Sequence, residues 1–227
     1  MSDKIGKRVM ERNNETIICI STALEFRDRQ LLEHSMHTAH IAQCIAKILI
    51  ADGFRHALPT CEDILRIGIV HDVGKLNIPD AVLMKSRGLT KRETETVRFH
   101  PTWGAEFVSK VPSLKHLAVY VHQHHEEPNG NGYPLGLKID DIRPASRLIN
   151  VCDRFSAMTM DRPYRRSIAP SHVIGILEKD IEVFFGRRNK KAIIQCLLSI
   201  QQIQYIARDE DTHPFIKQSI HKISAGV

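Results

Sequence analysis

His34 to Asp52 reads HSMHTAHIAQCIAKILIAD. Its apolar residues Met36, Ala39, Ile41, Ile45, Ile48 and Leu49 recur close to the spacing of one helical face, and Gly53 follows as a stop. The pattern continues downstream. Thr60 with Asp63 resembles a capping box and opens an apolar run, Ile64, Leu65, Ile67, Ile69 and Val70, that leads into His71 and Asp72. Thr90 with Glu93 does the same for a segment ending near His100, and Pro101 suits the first turn of the helix after it. Ser113 is placed to cap LKHLAVYVHQHH, and Pro144 opens ASRLINVCDRFSAMTM. Two further helices span about 170–185 and 189–207, separated by GRR. Alternating β-branched runs bounded by hairpin turns are scarce, so the expected fold is all-α.

A chain of 227 residues can form one compact domain with a real core. Its five cysteines, Cys19, Cys44, Cys61, Cys152 and Cys196, lie far apart without a C-x-x-C pair and sit in or beside apolar helical runs. That usage fits reduced core thiols in a cytosolic protein, neither a zinc ribbon nor a disulfide frame. The N-terminus lacks an apolar signal core, and charge breaks every apolar run short of a membrane span, so neither export nor membrane insertion is expected. The net charge of +6 would favour an anionic ligand, but on charge alone a solvated basic surface is the better reading. Arg187, Arg188, Lys190 and Lys191 read as a solvated turn, and no nucleic-acid polymer is expected as a partner. There is no internal repeat, and the polar stretch from Arg208 to Val227 either docks as a short helix or frays.

Thirteen histidines are too many for such a composition to explain. His71 and Asp72 end an apolar helix, and Asp153 is flanked by Leu148, Ile149, Val151, Cys152 and Phe155. A buried carboxylate is costly unless an arginine, a helix N-terminus or a cation satisfies it. Taken with His34, His100, His124 and His125, these residues form the set of neutral imidazoles and carboxylates that a cluster of divalent metals in a helical bundle requires. No thiol belongs to the set, which argues against structural zinc and for iron or manganese, with other borderline divalent ions open. The histidine pair then runs into a loop, HHEEPNGNGYP from His124 to Pro134, whose glycines and prolines fix an unusual path.

HDVGKLNIPD (His71 to Asp80) and HHEEPNGNGYPLGL (His124 to Leu137) resemble the two signature motifs of the HD-GYP family, the cyclic dinucleotide phosphodiesterase branch of the HD superfamily. HS at His34, FHPTWGAE around His100, ASRLINVCD ending at Asp153, and DRPYR from Asp161 to Arg165 follow in family order. The resemblance implies a single helical-bundle HD-type domain with a GYP loop and additional C-terminal helices. Residues 1–30 would lead into the bundle, 31–167 form the catalytic core and 168–227 close it with helices that diverge from the family pattern. It implies two divalent metal ions, one held by His34, His71, Asp72 and Asp153 and one by His100, His124 and His125, with Asp72 bridging. A carboxylate has two oxygens to share where a neutral imidazole has one lone pair.

The expected reaction is hydrolysis of a cyclic dinucleotide, cyclic di-GMP first, to the linear dinucleotide, with onward cleavage to GMP left open, by a metal-bridging hydroxide attacking phosphorus in line. Lys75, Arg162 and Arg165 are the expected phosphate cations. Gly130, Gly132 and Gly136 permit a close backbone path and Pro134 stiffens it. Tyr133 either stacks on or bonds to the nucleotide, or packs on its own domain.

The chain departs from the family in places. Gln30 stands where some members carry a third-metal glutamate, which leaves two metals expected. Ser156 replaces a typical second Asp, Asn129 replaces an Asp before Gly130, and Glu127 and Pro128 also differ. These departures keep two alternatives open: a catalytically silent module that binds a cyclic dinucleotide or a partner protein, and a phosphohydrolase acting on a linear nucleotide. His37, His40 and His122 are expected outside the ligand set, facing solvent or supporting it. Regulation is left to a separate protein, to expression or to metal supply.

Overall fold

The computed structural model describes the backbone of residues 2–54, 57–161 and 166–206, and the side chains of residues 15–54, 57–161 and 166–200. Its helices are α1 (Ser2–Arg27), α2 (Arg29–Ala51), α3 (Cys61–Val70), α4 (Asp80–Leu83), α5 (Lys91–Arg98), α6 (His100–Ser109), α7 (Ala118–His122), α8 (Pro144–Thr159) and α9 (Pro170–Ile206). The all-α expectation holds, with an isolated bridge between Asn129 and Lys138 as the sole β pairing among the described residues.

Capping chemistry sets most of the boundaries. Asp28 accepts from the Gln30 N–H and starts α2 a full turn before His34, while Thr60 accepts from the Asp63 N–H at the head of α3. Thr90 and Glu93 form the complete reciprocal box at α5. Prolines occupy the first turns of α6 and α8. Ser113 caps nothing. The chain there makes a 3-10 turn at Lys115–Leu117 and then the five-residue α7, neither with a side-chain cap, and burial of Leu114 and Leu117 sets their start instead. In α9 the break expected over three residues falls on Gly186 alone, at φ 78, and the helix resumes at once.

α2 is the central helix, with α1, α3, α8 and α9 packed around it. Ile41, Ile45 and Leu49 of α2, Ile64 and Ile67 of α3, Leu148 and Phe155 of α8, and Leu177 and Ile181 of α9 are fully buried together. Each such side chain contributes about 1.5–3 kcal/mol by burial. Ile17, Ile20 and Leu24 of α1 join the same core. The 3-10 turn Val73–Asn77 lies hard against the start of α6: a Cβ on Gly74 would stand 2.0 Å from the His100 carbonyl oxygen. Only glycine allows that approach, and it brings Asp72 and His100 side by side.

The basic run at the kink is dispersed in ion pairs, Arg188 with Asp52 and both Arg187 and Lys190 with Glu182, as a solvated turn requires. Arg162 and Arg165, and the tail from Arg208 to Val227, lie outside the described residues. No helix among the described residues is long and apolar enough to cross a membrane, and the five cysteines are free thiols.

Candidate metal centre

Five elements converge on one buried point. α2 supplies His34, the end of α3 supplies His71 and Asp72, and the start of α6 supplies His100. The turn after α7 supplies His124 and His125, and α8 supplies Asp153. All are buried except His125, whose side chain is 19% exposed.

Asp72 is the shared member. Its Oδ2 lies 3.4 Å from His71 Nε2 and 3.8 Å from His34 Nε2, and its Oδ1 lies 3.2 Å from His100 Nε2. Two groups able to hold an ion therefore meet on this carboxylate, one of His34, His71 and Asp72, the other of Asp72, His100, His124 and His125. Asp153 closes the first group, with Oδ1 at 2.8 Å from His34 Nε2 and 3.7 Å from His71 Nε2, and its Oδ2 reaches to 3.8 Å from His125 Nδ1. All seven expected ligand residues are thus assembled in one place.

The histidines are pre-oriented. His71, His100 and His124 each place Nδ1 within 2.6–2.7 Å of the carbonyl three residues earlier, on Gly68, Val97 and Val121. An Nδ1–H donated to a carbonyl leaves the Nε2 lone pair facing inward, which is the tautomer a metal needs. His100 Nε2 and His124 Nε2 then face each other at 3.3 Å. His71 Nε2 and Asp72 Oδ1 are buried without a hydrogen-bond partner among the described residues. Buried polar atoms are ordinarily satisfied, so these orphans fit a cation between the donors.

Ser156 turns the departure noted above into a contact. Its Oγ lies 2.9 Å from Nδ1 of His34 and 2.9 Å from Nδ1 of His37, so the serine holds one expected ligand and ties it to a second buried histidine. His37 is therefore a supporting residue and does not face solvent. His122 meets Thr102 outside the cluster, His40 approaches Cys44, and Gln30 is exposed.

Electrostatics separate the donors. Burial pushes the Asp72 carboxyl upward, but Lys75, His71 and His100 outweigh it and leave it well below the usual carboxylate range. Asp153 behaves likewise, burial opposed by His34 and His71. Burial disfavours charge on His71, yet Asp72 and Asp153 raise it to about 10. His125 is lowered to about 3, chiefly by burial, and His124 falls well below its ordinary value for the same reason. At neutral pH the site therefore offers ionised carboxylates and a neutral histidine pair.

The loop beyond the pair is clipped from inside. Glu126, fully buried, accepts from the Leu135 and Leu137 N–H groups at 2.7 Å each, and Asn150 donates to the His124 and Glu126 carbonyls. A Cβ on Gly132 would lie 2.2 Å from the Glu127 nitrogen, so this position admits glycine alone. The path carries Tyr133 onto His125, rings 4.7 Å apart and inclined by 26°, with Pro134 following. Lys75 Nζ sits 2.5 Å from Asp72 Oδ2. Glu126, Asn150 and the Arg98 guanidinium, 5.2 Å over the Tyr133 ring, escape sequence reasoning. A polar side chain beside a Gly/Pro loop reads as solvated, and only long-range contacts reveal its partner.

Comparison with known proteins gives a consistent picture. The family model described as HD domain matches residues 18–187. The chain is 33% identical over 165 residues to a cyclic di-GMP phosphodiesterase of Pseudomonas aeruginosa, covering 72% of this chain and 38% of that one. It is 31% identical over 168 residues to a 3'3'-cGAMP-specific phosphodiesterase of Vibrio cholerae, covering 72% and 35%. The chain therefore spans little over a third of either relative. Among solved structures, the L. monocytogenes phosphodiesterase PgpH HD domain in complex with cyclic-di-AMP superposes with a TM-score of 0.60 at 15% identity, over 86% of this chain and 99% of that one, a likeness of fold.

Proposed function

This chain belongs to the HD domain family, in its HD-GYP branch, and on that premise we propose that it is a metal-dependent phosphodiesterase that opens a cyclic dinucleotide, with cyclic di-GMP the first candidate. The product would be the linear dinucleotide, and cleavage of its remaining phosphodiester would give GMP in a second step. The observation that carries the reading is Asp72 shared between two sets of inward-facing donors, beside a loop tyrosine stacked on one of them. We assign His34, His71, Asp72 and Asp153 to one divalent ion and His100, His124 and His125 to the other, with Asp72 between them. Iron or manganese suits this nitrogen and oxygen set. The catalytic core is assigned to residues 31–167, and a cytoplasmic setting fits the free thiols.

When bound, such ions supply Lewis acidity that polarises a phosphoryl group and acidifies water. The chain's own groups do the rest. His71 must release its proton before Nε2 coordinates, so ion uptake and proton release go together. Lys75, beside Asp72, offers further N–H donors to a phosphate oxygen, a point charge where negative charge gathers. Burial raises the Tyr133 hydroxyl, which therefore keeps its proton and remains a donor. Arg162 and Arg165 are assigned to phosphate binding on their motif. Because Ser156 holds His34 in place, its presence does not favour a silent module.

The test is purification without oxygen, elemental analysis, and incubation with cyclic di-GMP and a mixed purine cyclic dinucleotide, with chromatography of products. Two metals per chain and a linear product support the enzyme. Two metals without product, under both iron and manganese, would replace it by a binding module.

A further inference from the structure

We propose that Arg98 is a specificity-determining substrate contact: the cation that takes the second phosphodiester of a cyclic dinucleotide, the one left intact when the ring is opened. This inference rests on the functional reading above.

Arg98 ends α5, two residues before His100, and is exposed. Its guanidinium carbon lies 5.2 Å over the Tyr133 ring, Tyr133 stacks on His125 at 4.7 Å, and His100 meets the same phenol edge-on at 6.4 Å. Guanidinium, phenol and imidazole thus form a column from the solvent-facing rim to the buried centre. Resting a guanidinium on an aromatic face engages its π surface and leaves the N–H donors around its edge available. No carboxylate lies within ion-pair distance of Arg98 among the described residues, a state it shares with Arg143 and Arg147, but it is Arg98 that stands over the Tyr133 ring. The charge is oriented and unspent. Lys75 lies against Asp72, where it is placed for a phosphate at the centre and not for one at the rim.

A cyclic dinucleotide carries two phosphodiesters across one ring. With one of them at the Asp72 cluster, the other is directed outward, and the outer end of the Tyr133 column carries a fork suited to a phosphate. A simple diester has no second phosphate to place there. Arg98 would therefore select the ring over small diesters without taking part in the cleavage.

The experiment compares wild type, Arg98→Ala and Arg98→Lys, all loaded with manganese, on cyclic di-GMP and on bis(4-nitrophenyl) phosphate. For Arg98→Ala the expected result is a KM for cyclic di-GMP raised about tenfold with kcat within about threefold. The accompanying change on bis(4-nitrophenyl) phosphate is expected to be at least about fivefold smaller. Arg98→Lys falls between, because an ammonium keeps the charge and loses the fork. Unchanged KM overturns the proposal. Equal losses on both substrates also overturn it, since Arg98 would then act by holding Tyr133 against His125. Calorimetric binding of cyclic di-GMP is read in parallel. Should wild type bind without turnover, the catalytic reading fails and Arg98 stands or falls on a roughly tenfold weaker Kd in Arg98→Ala. Should wild type neither bind nor cut cyclic di-GMP, both fail.

Discussion

The Nε2 atoms of His100 and His124 face each other at 3.3 Å, while Nδ1 of each ring lies against a backbone carbonyl. Two lone pairs so opposed repel unless a cation lies between them. Metal loading should therefore stabilise the fold. At a free ion concentration 100 to 1,000 times its Kd, linkage predicts a rise of roughly 5–15 °C in Tm for a chain of this size. Scanning calorimetry of chelator-treated and manganese-loaded protein checks this, and coincident transitions would count against the site.

Asp72→Ala removes the carboxylate common to both groups and leaves Lys75 without its partner. Elemental analysis should show loss of both ions, and turnover should fall by at least about 10³-fold. A variant that kept its full metal content and normal turnover would refute the shared role of Asp72.

Ser156→Ala empties the position between Nδ1 of His34 and Nδ1 of His37. Loss of a buried partner costs about 1–3 kcal/mol, and loss of a ligand's outer hydrogen bond typically weakens metal affinity about 10–100-fold. Metal titration and urea unfolding read the two effects separately. Ser156→Asp restores an acceptor and should recover affinity; failure to recover it would show that the serine is needed for its size.

Glu126→Gln exchanges a buried carboxylate, which accepts two loop N–H groups, for an amide with one acceptor oxygen. The expected cost is about 1.5–3 kcal/mol, together with faster amide exchange at Leu135 and Leu137. Protection at those amides equal to wild type would mean that the loop holds itself.

Thiol reactivity should separate the cysteines. Burial drives the Cys152 thiol well above its ordinary value, with Cys196, Asp153 and Cys44 adding to it, so almost no thiolate exists at pH 7. Cys19 is exposed. Mass spectrometry after alkylation should find Cys19 modified first and Cys152 only on unfolding; early labelling of Cys152 would contradict its place in the core.

The fold was legible wherever a local rule governs it. Thr60, Thr90, Pro144 and Gly186 act on their own neighbours, and the sequence shows both partners at once. Ser113 misled because it has the right residue type at the right distance, while two buried leucines decided the start of that segment. The residues that gather around Asp72 were legible from their chemistry and motif order. Their supports were not: Ser156 and His34 are separated by 122 residues, and nothing local to the serine marks it as the partner of two histidines. Arg98 was missed for the same reason, its ring partner being 35 positions away in the loop.

Asp72 has one further consequence, for how the chain responds to its surroundings. If Asp72 serves both ions as proposed, their occupancies would be linked: holding one ion would require Lys75 to leave Asp72 and His71 to give up its proton, and the donors of the other group would then already be aligned. By reciprocity, losing either ion loosens the other by the same factor. The chain would then switch on over a narrow range of metal concentration, and would read scarcity as a threshold.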